Sequence, residues 1–309
     1  MILLCDHRAS GLSQALRPLL GAGFELEATE NLRESRNRLQ AEPYELLVIA
    51  PLVNGGTKEI EELWRGIGDG PPPPILLVSD PADPGAALKS AEALNGQVWD
   101  VVSADAPVEE FKLRMERLVS HAYQLAELTD LRYRASHDDL TELLRPLYFQ
   151  ARLEEYFSAA ERHGLDMTLL VIDLDRFGQI NKLYDHTRGD LVLASVARVI
   201  RDSLRTEDVA GRIGGDEFAI LLPYTGALEG ATTVRRLCLT IESLSESLAT
   251  EGIDFVLSGS IGFETTNGHD IGSLEELRRH AEAALQRAKR AGGNRGVFYR
   301  SKDKGGEPS

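Results

Sequence analysis

Two cysteines, Cys5 and Cys238, are all that the 309 residues contain. They stand far apart with no further thiols beside them, which excludes a disulfide framework and a cysteine-built zinc site. Long apolar runs are also missing: no stretch approaches the roughly 18 apolar residues that cross a bilayer. The apolar segment Ile2 to Cys5 stops at Asp6, too soon for the core of a signal peptide. The expectation is a cytoplasmic protein without membrane contact. Positive charge is short as well, with 34 Lys and Arg against 49 Asp and Glu and a formal net charge of −15. Non-specific nucleic-acid binding draws its affinity from Lys and Arg on phosphates, so nucleic acid is not an expected partner. What remains is ordinary globular composition, and the length suits two domains of about 150 residues.

The first hundred residues alternate short apolar runs with helical patterns. Ile2 to Cys5, Leu46 to Ile49, Ile75 to Val78 and Val98 to Val102 read as buried strands, and Phe24 to Ala28 as a further one. Helical stretches lie between them, for example Leu12 to Leu20 and Ala86 to Leu94. Apolar runs that do not alternate suit a parallel sheet covered on both faces, so the fold class is α/β with a doubly wound sheet. The prolines Pro71 to Pro74 immediately precede a strand and read as a stiff loop inside this domain.

From Pro107 a long helical pattern carries apolar residues at Phe111, Met115, Leu118, Ala122, Leu125 and Leu128. Steps of four and three match a heptad seam over about two heptads. The first half is equally an amphipathic last helix of the first domain. Beyond Ser120 a dimeric stalk is favoured, which would fix how two C-terminal domains face each other. The expected boundaries are 1–107, a helical stalk over 108–136, a second domain over 137–300, and a disordered tail over 301–309.

The second domain has another texture. Met167 to Ile172 reads as a buried strand ending at Asp173, Asp190 to Leu204 as a helix, and Val209 to Ile213 and Glu217 to Leu222 as strands separated by glycines. Phe255 to Phe263 reads as a strand, Leu274 to Arg290 as a helix, and Gly296 to Tyr299 as a closing strand. This mixed order is that of an α+β sheet covered by helices.

Gly214-Gly215-Asp216-Glu217-Phe218 lies between two strands. Two glycines suit the positive φ of a tight hairpin, but a hairpin does not account for two adjacent carboxylates at its mouth. Bare backbone amides beside a carboxylate suit a site for phosphate and a cation. Asp173-Leu174-Asp175 closes the preceding strand. Either aspartate could cap a following helix; paired with Asp216 on a neighbouring strand, Asp173 would complete a Mg²⁺ site of the kind found on nucleotides.

The segment Arg212-Ile213-Gly214-Gly215-Asp216-Glu217-Phe218 resembles the signature of the GGDEF family, the bacterial diguanylate cyclases. The resemblance runs from about Ser136 to Tyr299. It includes His137-Asp138-Asp139-Leu140-Thr141, Asp173-Leu174-Asp175-Arg176-Phe177, Asn181, Gly189-Asp190 and the run from Ala288 to Arg295. It implies a palm-like nucleotidyl-cyclase sheet and the condensation of two GTP into cyclic di-GMP, each protomer of a homodimer presenting one GTP. It implies that Asp173, the Leu174 carbonyl, Asp216 and Glu217 hold Mg²⁺, with Mn²⁺ as the alternative cation, and that Glu217 can instead help deprotonate the attacking 3′-hydroxyl. Asn181 and Asp190 would read guanine, whose N–H donors a carboxylate can accept. Phe177, Gly178, Gly214 and Gly215 would lie against the nucleotide. Lys289 would reach the β- and γ-phosphates, although a lysine near a helix C-terminus also suits the macrodipole alone.

Arg205-Thr206-Glu207-Asp208 precedes the signature. By itself it reads as an i,i+3 ion pair. In the family an RxxD at this offset is the product-inhibition site, with Arg236 where a second arginine often stands, and an arginine fork suits phosphate or a base edge. The chain also departs from the family pattern. Arg145-Pro146 replaces the usual Asn-Arg, Gly178 a lysine, Asp185 a glycine and Gly293 an arginine. These changes spare the carboxylates and the guanine pair, and they bear on GTP binding and rate.

The region from Met1 to about Leu118 resembles a response-regulator receiver in topology while lacking its chemistry. Ala50 stands where the phospho-accepting aspartate belongs, the acidic pair is reduced to Asp6-His7, Ser79 keeps the usual hydroxyl, and Ser103-Ala104-Asp105 lacks the lysine. The expectation is a pseudo-receiver that dimerises or takes a protein or ligand signal. Three functions compete: a dimeric, regulated diguanylate cyclase; a catalytically silent GGDEF module that senses GTP or cyclic di-GMP; and a cyclase that joins GMP to AMP. The intact Asp216 and Glu217 argue against the second, and Asn181 with Asp190 against the third.

Overall fold

Short runs apolar on both faces become the parallel strands of the N-terminal unit. The computed structural model describes residues 1–6, 11–22, 25–51, 57–64, 72–94, 96–266 and 271–299. It divides the chain into Met1–Leu131 and Arg132–Ser309. In the first unit β1 (Ile2–Cys5), β2 (Leu26–Thr29), β3 (Leu46–Ile49), β4 (Ile75–Ser79) and β5 (Trp99–Ser103) form one parallel sheet in the order β2-β1-β3-β4-β5. This is a doubly wound order, shared by many unrelated functions. One sheet face, with Leu4, Val48 and Leu76, packs on α1 (Leu12–Ala15) and on the start of α5 (Val108–Ser136). The other face, with Leu3, Leu47 and Leu77, packs on Ile60 of α3 (Thr57–Trp64) and Ala91 of α4 (Pro84–Ala91). The helix α2 (Leu32–Ala41) begins at Asn31, whose side chain accepts from the Glu34 amide.

Details differ from the sequence reading. The Leu12 helix stops at Ala15 and continues as a 3₁₀ turn, Arg17–Ala22, and the second strand begins at Leu26. Residues 72–74 lead irregularly into β4. Phe24, His7, Pro71 and the 301–309 tail lie outside the described residues.

The helix α5 is one element of 29 residues, about 43 Å long at 1.5 Å per residue. Phe111, Met115 and Leu118 are buried in the N-terminal core. Further on, Leu125, Leu128 and Leu131 are exposed by 41%, 47% and 54%, so the apolar row outlasts the core that its first half covers.

The C-terminal unit is built on β6 (Met167–Leu174), with β8 (Glu217–Pro223) and β9 (Gly259–Thr266) antiparallel on either side of it. β7 (Val209–Arg212) and β10 (Arg295–Phe298) complete the order β10-β9-β6-β8-β7. Alternate residues serve the two faces. Leu170, Ile172, Phe218 and Ile220 pack on α7 (Phe177–Tyr184), α8 (His186–Asp202) and α9 (Ala227–Thr250), while Leu169, Val171 and Leu221 face α6 (Pro146–His163) and α10 (Leu274–Arg290).

The expected helix 190–204 begins earlier, at His186, because the Asp185 side chain caps it by accepting from the Arg188 amide. Asp185 does so at φ 104°, and the capping bond offsets a conformation costly for an L residue. The expected strand 255–263 starts only at Gly259; before it Ile253 and Leu257 are buried without entering the sheet. The closing strand is shifted by one residue, to Arg295–Phe298. The signature glycines are not at positive φ. The β7–β8 hairpin instead uses a four-residue loop, closed where the amides of Ile213 and Gly214 donate to the Glu217 carbonyl at 2.9 and 3.2 Å.

Candidate active site

Antiparallel register brings the acidic motifs together. Asp173, near the end of β6, is paired across the sheet with Glu217, the first residue of β8, and the Leu174 amide donates to the Asp216 carbonyl at 3.3 Å. Lys289, in the last turn of α10, sets its Nζ 2.5 Å from Asp173 Oδ2. Asp173 is only 9% exposed. Burial pushes its carboxyl above the ordinary range, Lys289 pulls it back, and Asp216 and Asp175 push it further up. A carboxylate crowded in this way, with one ammonium against it, is a place that favours added positive charge. Among the described residues no three His, Cys, Asp or Glu side chains form a self-sufficient metal cage. A cation shared with phosphates needs only one or two carboxylates, and that is the set present.

Asp175, two residues on, does different work. It caps no helix: Arg176 precedes α7, and no side-chain cap is formed. Its oxygens accept from Ser258 Oγ at 2.8 Å, Ser260 Oγ at 2.7 Å and the Asn294 amide at 2.8 Å. Asp175 thus ties the loop after α10, and with it the end of the helix bearing Lys289, to the top of the sheet.

A Cβ at Gly214 would lie 2.6 Å from Glu217 Oε2, the far end of an exposed side chain, and 3.1 Å from Glu217 Cβ, whereas Gly215 faces open space. The Gly215 carbonyl accepts from Nε and Nη2 of Arg212 at 3.2 and 2.8 Å. The third arm of that guanidinium donates to Asp138 Oδ1 at 3.1 Å, and the same oxygen accepts from the amide and hydroxyl of Thr141. Asp138 follows the end of α5, so one arginine joins the signature loop to the domain entrance.

Burial would raise the Asp138 carboxyl, but the Thr141 hydroxyl and Arg212 outweigh it and hold it below the ordinary 3.8. A depressed carboxyl gives stability that is complete above 3.8 and is lost as pH falls through the folded value. Asp138→Asn should therefore cost about 2 kcal/mol at neutral pH. In unfolding curves of wild type and variant, the gap should close below pH 3.8; a gap that persists there would show that Asp138 acts by shape alone.

Asn181 sits on α7 with its Oδ1 buried and without a hydrogen-bond partner. Gly189 makes room for it: a Cβ there would fall 1.9 Å from that oxygen. Asp190 is the next residue on α8 and is exposed, so an orphaned acceptor and a free carboxylate occur together. The Phe177 side chain is buried in the core. Gly178 faces open space.

A family model described as "Diguanylate cyclase, GGDEF domain" matches residues 135–295. This chain belongs to the GGDEF diguanylate cyclase family. It is 35% identical over 170 residues to the diguanylate cyclase DosC of Escherichia coli, a match covering 55% of this chain and 36% of DosC. The chain thus spans about a third of that relative's length. The coiled coil and GGDEF domain of DgcB from Caulobacter crescentus, crystallised with cyclic di-GMP, superposes with a TM-score of 0.54 at 29% identity, covering 61% of this chain and 98% of that one. The diguanylate cyclase SiaD from Pseudomonas aeruginosa, in complex with its activator SiaC, gives 0.51 at 30% identity, covering 62% and 75%.

Elsewhere in the GGDEF unit, the RxxD segment is a turn and not an ion pair between side chains. The Arg205 amide donates to Asp208 Oδ2 at 2.9 Å, and the Asp208 amide to the Arg205 carbonyl at 3.2 Å. The Arg205 side chain is left to line a groove of about 320 Å³ with Asp208, Arg201 and Arg152. Burial raises the Asp208 carboxyl against the pull of the Arg205 amide, and Arg236 lies near enough to oppose that rise. Arg236 itself donates to the Ser203 carbonyl at 2.6 Å.

The sequence reading quoted Arg212 and Asp138 within motifs but gave them no role, and it missed the anchoring role of Asp175. The bonds that join Arg212 to Asp138 and Asn294 to Asp175 span 74 and 119 residues, and no local spacing announces them.

Proposed function

We propose that this chain is a diguanylate cyclase that condenses two GTP into cyclic di-GMP, releasing two pyrophosphates, with one GTP on each protomer of a homodimer. The observation that supports this most is the convergence of Asp173, Asp216 and Glu217 at one end of the sheet with Lys289 against Asp173. Each 3′-hydroxyl attacks the α-phosphorus of the other GTP, forming a P–O bond as the bond to pyrophosphate breaks. Glu217 takes the hydroxyl proton. Mg²⁺, or Mn²⁺ in its place, would be held by Asp173, the Leu174 carbonyl and Asp216, and would supply neutralisation of phosphate charge. Lys289 then turns from Asp173 to the β- and γ-phosphates. Asn181 and Asp190 accept from guanine N1–H and N2–H₂, donors that adenine lacks. Positioning and charge do the chemistry, and no covalent nucleophile is required.

Arg205, Asp208 and Arg236 form the inhibitory product site, with the unpaired Arg205 guanidinium directed to a phosphate or guanine edge. In progress curves the wild-type chain should stall as product accumulates, and Arg205→Ala should continue linearly. Curves that stall alike would return the RxxD to a structural turn, and an absence of product from both would favour the silent-sensor reading.

The N-terminal unit acts as a pseudo-receiver. Ala50 follows β3 where a phospho-acceptor would stand, and Asp6 is engaged by the amide and hydroxyl of Ser13 at 3.2 and 2.6 Å. The exposed Leu125, Leu128 and Leu131 row serves as the dimer seam through which a protein or ligand signal sets the distance between two active sites. Acetyl phosphate with Mg²⁺ should leave the mass of this unit unchanged; a stable phosphoryl adduct on it would overturn the assignment.

A further inference from the structure

One concavity of the GGDEF unit shares no lining residue with either the carboxylates or the RxxD groove. It runs between α9 and the edge strand β10 and has a volume of about 480 Å³, within the roughly 300–1,000 Å³ usual for small-molecule sites. Its floor is apolar. Phe263 and Phe298 stack with centroids 5.1 Å apart, and Gly296 lets β10 close on α9, since a Cβ there would lie 2.0 Å from Val234 Cγ1. The Cys238 thiol, pushed up to about 11 by burial, adds no charge at neutral pH.

The rim is where the site declares its chemistry. Arg235 stands on α9 and Arg295 on β10, with Glu242 as the one carboxylate among the lining residues. Among the described residues the side chains of Arg235 and Glu242 make no hydrogen bond or ion pair, and the one side-chain hydrogen bond of Arg295 runs from Nε to the Gly293 carbonyl at 2.9 Å. In a chain with net charge −15, carboxylates are plentiful, yet two guanidinium groups beside one apolar cleft are left with donors to spare. Guanidinium forks match carboxylates, and the aromatic floor matches a flat hydrocarbon.

We propose that this cleft is a second ligand site, for a small anion with a flat apolar body, of the aromatic carboxylate class. The body rests on Phe263, Phe298 and Leu239, and the anionic group is held between Arg235 and Arg295. The site reaches the loop that matters for the carboxylates without sharing a residue with them. Asn294 and Arg295 form one wall, and the Asn294 amide is the group that Asp175 anchors.

The test is titration of the full chain with naphthalene-2-carboxylate and, separately, with the uncharged naphthalene-2-methanol, followed by calorimetry and saturation-transfer NMR. The carboxylate should bind saturably at one site per chain, about tenfold more tightly than the alcohol. Arg235→Ala and Arg295→Ala should each remove most of that advantage, while Arg198→Ala, an exposed arginine elsewhere, should not. Ala231→Trp, which fills the cleft, should abolish binding with an unchanged unfolding temperature; if that variant unfolds, the two arginine variants decide. Asp216→Ala should bind as wild type, so the outcome is independent of whether the chain is a cyclase. No saturable binding, equal affinity for the two compounds, or indifference to both arginine changes would each overturn the proposal.

Discussion

Asp216→Ala is expected to lower GTP turnover on the order of 10³-fold, the scale of removing one preorganised electrostatic contact from a transition state. Asp216 is partly exposed, and its carbonyl, not its carboxylate, makes the contact with Leu174. The variant should therefore keep the wild-type unfolding temperature, which separates loss of chemistry from loss of fold. Asp173→Asn should act similarly on turnover, with the added consequence that Lys289 loses its ionic partner. Turnover within tenfold of wild type in Asp216→Ala would remove this residue from the cation-binding set.

The second large effect concerns a position where the chain departs from its family. The resemblance to the family would place an arginine at Gly293, so restoring arginine looks like a route to tighter GTP binding. The backbone argues the opposite. Gly293 has φ +76°, and a Cβ there would lie 2.8 Å from Asp175 Oδ2. The left-handed conformation costs a non-glycine residue about 1–2 kcal/mol. Displacing Asp175 from Ser258, Ser260 and the Asn294 amide adds about 1.5–3 kcal/mol for hydrogen bonds to a charged group. Gly293→Arg should therefore lose about 3 kcal/mol, or about 6–12 °C in Tm, and should weaken rather than strengthen GTP binding. Gly293→Ala, which carries no charge, should lose nearly as much stability. If the arginine variant is as stable as wild type and binds GTP more tightly, the Asp175 anchor is not what fixes this loop.

Much of the fold was legible because burial writes itself into composition. Strands such as Leu46–Ile49 and Met167–Leu174 are apolar on both faces and stand out as continuous runs. The helix Leu274–Arg290 was readable to the residue because Ser273 caps it and its last turn is basic. The helix Ala227–Thr250 was not. Its hydroxyl residues break the apolar pattern, and in the structure Thr232, Thr240 and Ser247 return their hydroxyls to carbonyls of the preceding turn, the arrangement that lets such residues sit inside a helix.

The acidic residues of the site were legible for a different reason: Asp173 and Asp216-Glu217 form short motifs, each local in sequence. What held them in place was not local. Arg212 joins Asp138 to the signature loop, Asp175 joins two distant segments, and Lys289 reaches Asp173 from the far end of α10. The signature hairpin was misread for a related reason. Its glycines suggested the positive φ of a two-residue turn, whereas the strands end at Arg212 and resume at Glu217 and neither glycine has positive φ.

The central claim is that the carboxylates at the end of β6 and β8 serve the joining of two guanine nucleotides. The most direct measurement is incubation of the chain with GTP and Mg²⁺, with GTP plus ATP and with ATP alone in parallel mixtures, and identification of the products by mass spectrometry. We expect cyclic di-GMP and pyrophosphate from GTP, no dinucleotide from ATP alone, and no product when the cation is chelated. A mixed GMP–AMP product would contradict the guanine-reading roles of Asn181 and Asp190, and GTP bound but unchanged would contradict the cyclase itself.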